Sequence, residues 1–139
     1  MNTYVLDSYA LMAFFQGETS AVQVRNLIHE AQRRECVLKL SSINWGELYY
    51  VGVRYKGKAS ADQMLAVLEQ YSIEVVDIDR PMVYQAAVFK SQYALSYADC
   101  FAAALAKKEE ASLITGDPEF KIMAHEIRIL WLNPKKERR

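Results

Sequence analysis

Short apolar runs that read as strands alternate with stretches of helical spacing along the whole chain, and this alternation constrains the fold more than any other feature. Strands joined through helices return to the same edge, pair parallel and need cover on both faces. Tyr4-Val5-Leu6 is the first such run and stops at Asp7, after which Ala10, Leu11, Phe14 and Phe15 recur at helical spacing until Gly17. Ser20 with Gln23 predicts a capping box for a second helix striped by Val24, Leu27, Ile28 and Ala31. A strand is expected over 37–40. Ser42 then starts a helix through Trp45, Leu48, Tyr49 and Val53, interrupted at Lys56-Gly57-Lys58; Ser60 with Gln63 predicts the cap of the next, through Met64, Val67, Leu68 and Tyr71. Residues 74–78 read as a strand, 79–91 as a helix opened by Pro81, and 96–110 as an alanine-rich buried helix. Strands over 112–115 and 127–132, joined by a short helix after Pro118, complete the pattern. The expected fold is therefore α/β, a single domain built on a parallel sheet flanked by helices on both faces.

With 139 residues, 52% of them hydrophobic, the chain suits one domain with one core. No linker or repeat divides it, and the basic stretch 135–139 is set apart as a tail from a domain over 1–134. Lys+Arg and Asp+Glu both number 17, so no net charge marks a nucleic-acid or membrane partner, and any such partner must meet a local patch. Cys36 and Cys100, the only cysteines, are too few for a disulfide scaffold, which favours a reduced, cytoplasmic setting. No apolar run approaches the ~20 residues of a membrane span, and the first residues lack a basic segment before an apolar one, so a soluble, untargeted protein is expected.

Four carboxylates, Asp7, Glu47, Asp99 and Asp117, fall where strands give way to helices or in first helical turns. Each has an ordinary explanation. Asp7 and Asp117 occupy N-cap positions, the latter ahead of Pro118; Ser96 with Asp99, and Asn44 with Glu47, can form capping boxes. Their joint placement argues for more, because parallel strands deliver their carboxyl ends to one edge, where Asp7 and Asp117 converge. Asp99 lies beside Ala98, Ala102 and Ala103 on a helix apolar nearly all round, so its carboxylate loses solvent unless a cation compensates it. Glu47 shares its helix with Trp45, Leu48 and Val51 and can stand at the mouth of the same pocket. Four like charges raise one another's pKa, and a hard divalent cation keeps them ionised. All-oxygen ligands indicate magnesium or manganese; zinc is disfavoured because His29 and His125 pair with no second ligand at zinc spacing.

Four blocks carry a resemblance: Val5-Leu6-Asp7-Ser8; the segment Asn44 to Tyr49 around Glu47; Leu95-Ser96-Tyr97-Ala98-Asp99 with its alanine-rich helix; and Leu113-Ile114-Thr115-Gly116-Asp117-Pro118-Glu119-Phe120. The chain resembles PIN-domain ribonucleases, and in length the VapC toxins of toxin-antitoxin pairs. That resemblance spans nearly the whole chain, with all four acids in order. It implies a parallel sheet of four or five strands, a magnesium- or manganese-dependent endoribonuclease cutting transfer or ribosomal RNA at a loop, a cognate VapB-like antitoxin that blocks the active-site groove, and a homodimer. Carried over by position, Asp7, Glu47, Asp99 and Asp117 look like the metal site and Thr115 like its supporting hydroxyl, although Thr115 also suits a plain strand.

The chemistry fits the residues in their own right, since a metal-activated water needs no nucleophilic side chain. Arg54, Lys56 and Lys58, interleaved with Tyr49, Tyr50 and Tyr55, are candidates to track phosphates and stack bases, or else form an ordinary solvated turn. Lys135, Lys136, Arg138 and Arg139 add a basic terminus. Phe14-Phe15 and the tyrosine-rich helix suit an apolar partner segment if exposed, and core packing otherwise. A phosphatase using Asp7 as nucleophile is disfavoured because Tyr9 stands where such enzymes carry a second acid. The alternative outside catalysis is a PIN-like module whose acids only cap helices and whose groove binds protein.

Overall fold

A computed structural model describes residues 1–132; the expected tail, 135–139, lies outside the described residues. Five strands, β1 (Asn2–Leu6), β2 (Cys36–Ser41), β3 (Ile73–Val76), β4 (Ser112–Thr115) and β5 (Ile129–Trp131), form one sheet in the order β3-β2-β1-β4-β5. Every pairing is parallel, with Leu6 opposite Leu40 on one side and Ile114 on the other. The order reverses direction at β1, so β1 and β4, strands distant in sequence, lie side by side.

Six α-helices cover the sheet: α1 (Ser8–Phe15), α2 (Ala21–Gln32), α3 (Ser42–Lys56), α4 (Lys58–Glu69), α5 (Arg80–Gln92) and α6 (Tyr97–Lys108), with a 3-10 helix at Pro118–Met123. Alternate residues of one strand feed different cores, as the two-residue strand period requires. Val5 and Leu113 point to the core made by α5, α6 and the 3-10 helix, while Leu6 and Ile114 join α1, α2, α3 and α4 on the other face. Residues 100–106 of α6 are all buried, in keeping with its alanine content.

Several helix starts differ from expectation. Ser20 precedes α2, but its φ and ψ of −75° and −7° are already helical and its hydroxyl makes no cap bond; its carbonyl takes the Gln23 N–H at 3.1 Å instead. Ser60 lies inside α4, whose cap is Gly57. At φ +85°, where only glycine is unstrained, Gly57 ends α3 and begins α4 in one residue. Asn44 does not cap α3 either: the hydroxyl of Ser41 accepts its N–H. Ser96 does cap α6, and Asp79, expected within the helix, caps α5 from just outside it.

Candidate active site

The carboxyl ends of β1 and β4 share one edge of the sheet, where the Asp7 N–H reaches the Ile114 carbonyl at 3.4 Å. Asp7 caps α1, its Oδ1 accepting the Ala10 N–H at 2.8 Å. The same residue is 1% exposed, and its Oδ2 has no hydrogen-bond partner. Burial pushes its pKa up to about 7, and the charges of Asp99 and Asp117 add to the rise, against the Thr115 hydroxyl and the Ala10 N–H.

Fully buried Thr115 ends β4, and its Oγ1 accepts the Asp117 N–H at 3.0 Å. Asp117 caps the 3-10 helix through a 2.9 Å bond from the Glu119 N–H to its Oδ1. Asp99 arrives from α6, where its N–H is held by the Ser96 hydroxyl at 3.1 Å. Burial raises its pKa to about 6; Ser96 opposes this, and Asp117, Glu47 and Glu119 add to it. Asp99, Asp117 and Glu119 each offer an oxygen within 4.8 Å of the others, the one group of this kind among the described residues. Glu119 was not singled out in the sequence, whereas Asp7 and Glu47 were and stand outside this tight trio.

Glu47 is tied in by two polar bridges. Its carboxylate accepts a hydrogen bond from the hydroxyl of Ser8, the residue after Asp7. One turn earlier, fully buried Asn44 donates from Nδ2 to the Ala98 carbonyl at 3.2 Å and accepts from the Ser41 hydroxyl at 2.5 Å. The first turn of α3 is thereby fastened to the residue just before Asp99. Sequence spacing gave no sign of this 54-residue bridge, and Ser8 was visible only as part of a motif.

The expected phosphate-tracking cations lie farther off. Arg54 and Lys56 follow Glu47 on α3 by seven and nine residues, about 10 to 14 Å along the axis. Arg54 rests 5.0 Å over the Tyr50 ring, and Lys58 pairs with Asp62 at 2.7 Å, which also accepts the Tyr49 hydroxyl at 2.7 Å. Beside Lys56 an apolar groove of about 400 Å³ opens between α1 and the α3–α4 pair, lined by Met12, Phe14, Phe15, Leu48, Tyr55 and Met64 among others. Phe14 and Phe15, expected as partner-binding or core residues, are half-buried on its wall.

The PIN domain family profile matches residues 4–126. VapBC2 from Rickettsia felis, solved with a DNA fragment of its promoter, superposes with a TM-score of 0.75 at 20% identity, covering 94% of this chain and 99% of that one. VapBC from Salmonella typhimurium, bound to DNA, gives 0.69 at 22% identity over 94% and 98% of the two chains. The sarcin-ricin-loop-cleaving toxin VapC20 of Mycobacterium tuberculosis gives 0.69 at 15% identity over 93% and 98%. No curated protein sequence matches the chain. At these identities the structural likeness establishes the fold.

Proposed function

Because the chain belongs to the PIN-domain family, we propose that it is a metal-dependent endoribonuclease, the toxin of a VapBC-type toxin-antitoxin pair acting on RNA in the cytoplasm. The observation that carries this reading is the acid cluster: three carboxylates within 4.8 Å, and beside them a buried Asp7 oxygen without a protein partner. Such a donor set fits a hard cation with oxygen ligands, magnesium or manganese. A bound ion supplies an acidified water and neutralises charge on the phosphate oxygens.

The residues of the chain do the rest. Asp99, Asp117 and Glu119 would hold the ion together with Asp7, and Glu47, whose charge acts on Asp99, would complete the acidic group. Thr115 fixes the backbone N–H of Asp117, and so the direction from which its carboxylate enters the site. Ser8 orients Glu47 by donating its hydroxyl to the carboxylate. With water as the nucleophile the ribose 2′-hydroxyl stays unused, so products carry no 2′,3′-cyclic phosphate. Arg54, Lys56 and Lys58 form an outer strip for phosphates of a folded RNA cut at a single-stranded loop. Two of the similar structures are VapBC complexes, and the apolar groove suits an antitoxin segment, because Leu48 on its wall neighbours Glu47. A homodimer is part of the same reading.

Purified protein is incubated with total cellular RNA and magnesium or manganese, beside an EDTA control and Asp7→Asn. Discrete cuts that need both metal and Asp7, with ends free of cyclic phosphate, are expected. Folded, inhibitor-free protein that makes no metal-dependent cut overturns the nuclease and leaves a protein-binding module.

A further inference from the structure

Tyr9 is the second residue of α1, between buried Ser8 and buried Ala10, and its own side chain is 43% exposed. Other aromatic rings of the chain are as exposed, Tyr97 at 44% and Tyr50 at 47%, so exposure alone does not mark Tyr9; the seat that Gly116 gives it does. A β-carbon at that position would lie 2.6 Å from Tyr9 Cε1, 3.3 Å from Cδ1 and 3.4 Å from Cζ, so only glycine leaves room for the ring. Gly116 is not among the glycines with positive φ, hence its backbone does not demand glycine and the space does. Gly116 joins Thr115 to Asp117, and Tyr9 lies within electrostatic reach of both Asp7 and Asp117. The notch therefore seats one edge of the ring against the loop that carries the acids.

We propose that Tyr9 is a specificity-determining residue whose ring stacks on an unpaired base flanking the scissile phosphate, fixing single-stranded RNA in register with the acids. The proposal rests on the nuclease reading for the identity of the phosphate. Stacking asks for a π-face and no particular base, and it is worth enough per base to govern affinity. A duplex, with its bases already stacked, offers no face to the ring, so single-stranded loops are selected.

The test measures binding of a labelled single-stranded RNA oligonucleotide by fluorescence anisotropy, with calcium in place of magnesium, for wild type, Tyr9→Phe and Tyr9→Leu. Abasic sites are then walked across the oligonucleotide. Tyr9→Phe is expected to bind as wild type and Tyr9→Leu about tenfold more weakly. One abasic position should cost wild type a similar factor and Tyr9→Leu almost nothing. Equal binding by wild type and Tyr9→Leu, an abasic penalty that persists in Tyr9→Leu, or absence of RNA binding by the folded wild type each overturns the proposal. Cleavage with magnesium is scored separately: RNA that binds through Tyr9 but is never cut refutes the nuclease and not the platform.

Discussion

Glu119 shows how a residue can join a site without its spacing announcing it. In a helix, positions two apart diverge, so an acid two residues after Asp117 reads as solvent-facing. Asp117 is the cap, as its place before Pro118 indicates, and by accepting the Glu119 N–H at 2.9 Å it folds its carboxylate back over the first turn, next to the Glu119 side chain. The signal was present as Asp-Pro-Glu, an acid at the cap with a second acid in the first turn. Asp7, Asp99 and Asp117 were legible because strand ends and an apolar helix restrict where their side chains go. Glu119→Gln keeps the size and removes one charge from the trio. Its manganese affinity, measured by calorimetry at pH 7, is expected to fall by at least about tenfold, the loss that even a residue supporting a metal ligand typically causes. Affinity equal to wild type would remove Glu119 from the metal-binding group.

At the level of elements, caps divide into those that sequence reveals and those that it does not. Ser96 caps its helix as its position suggests, and Asp79, expected as the first helical residue, is a cap as well, since each has extended backbone that aims the side chain at the first turn. Ser20 fails because its backbone is already helical, and Ser60 fails because Gly57 starts the helix three residues earlier. Asn44 with Glu47 has the spacing of a capping box, yet Asn44 is a buried bridge from α3 to α6. Its two side-chain bonds set Glu47 relative to Asp99, two acids that no backbone ladder connects. Asn44→Ala takes the side-chain donor from the Ala98 carbonyl and leaves the buried Ser41 O–H without its acceptor, while the backbone N–H of residue 44 keeps its bond to the Ser41 oxygen. A loss of about 1–3 kcal/mol in urea unfolding is expected, with a fall in cleavage rate larger than that of a core variant of equal stability, such as Leu68→Ala titrated to the same midpoint. A rate that merely tracks stability would show that the bridge holds the fold and not the site.

Across the whole molecule, alternation of strands and helices made the parallel sheet and its two faces legible, because a strand followed by a helix has few ways to return. Strand order was not legible: that β1 lies between β2 and β4 depends on packing between segments a hundred residues apart. That order places Asp7 and Thr115 on neighbouring strands and loads one edge of a neutral chain with carboxylates, which has a consequence for stability. Folded Asp7 keeps its proton up to about pH 7, whereas the unfolded chain releases it near the ordinary 3.8. Between those values the unfolded state binds fewer protons than the folded one, so this group's contribution to stability is lost as pH rises. The full difference is at most about 4 kcal/mol, and half-buried Asp99, raised to about 6, acts in the same direction. In EDTA, Asp7→Asn should therefore gain stability relative to wild type between pH 4.5 and pH 7.5, read as the difference in urea midpoints. Saturating manganese at pH 7.5 should narrow that difference, because an ion at a hundred times its dissociation constant adds about 2.7 kcal/mol to the protein that binds it. A midpoint difference that stays constant with pH would mean that water or a neighbouring group solvates the Asp7 carboxylate after all, and a difference that manganese leaves unchanged would place the ion away from Asp7.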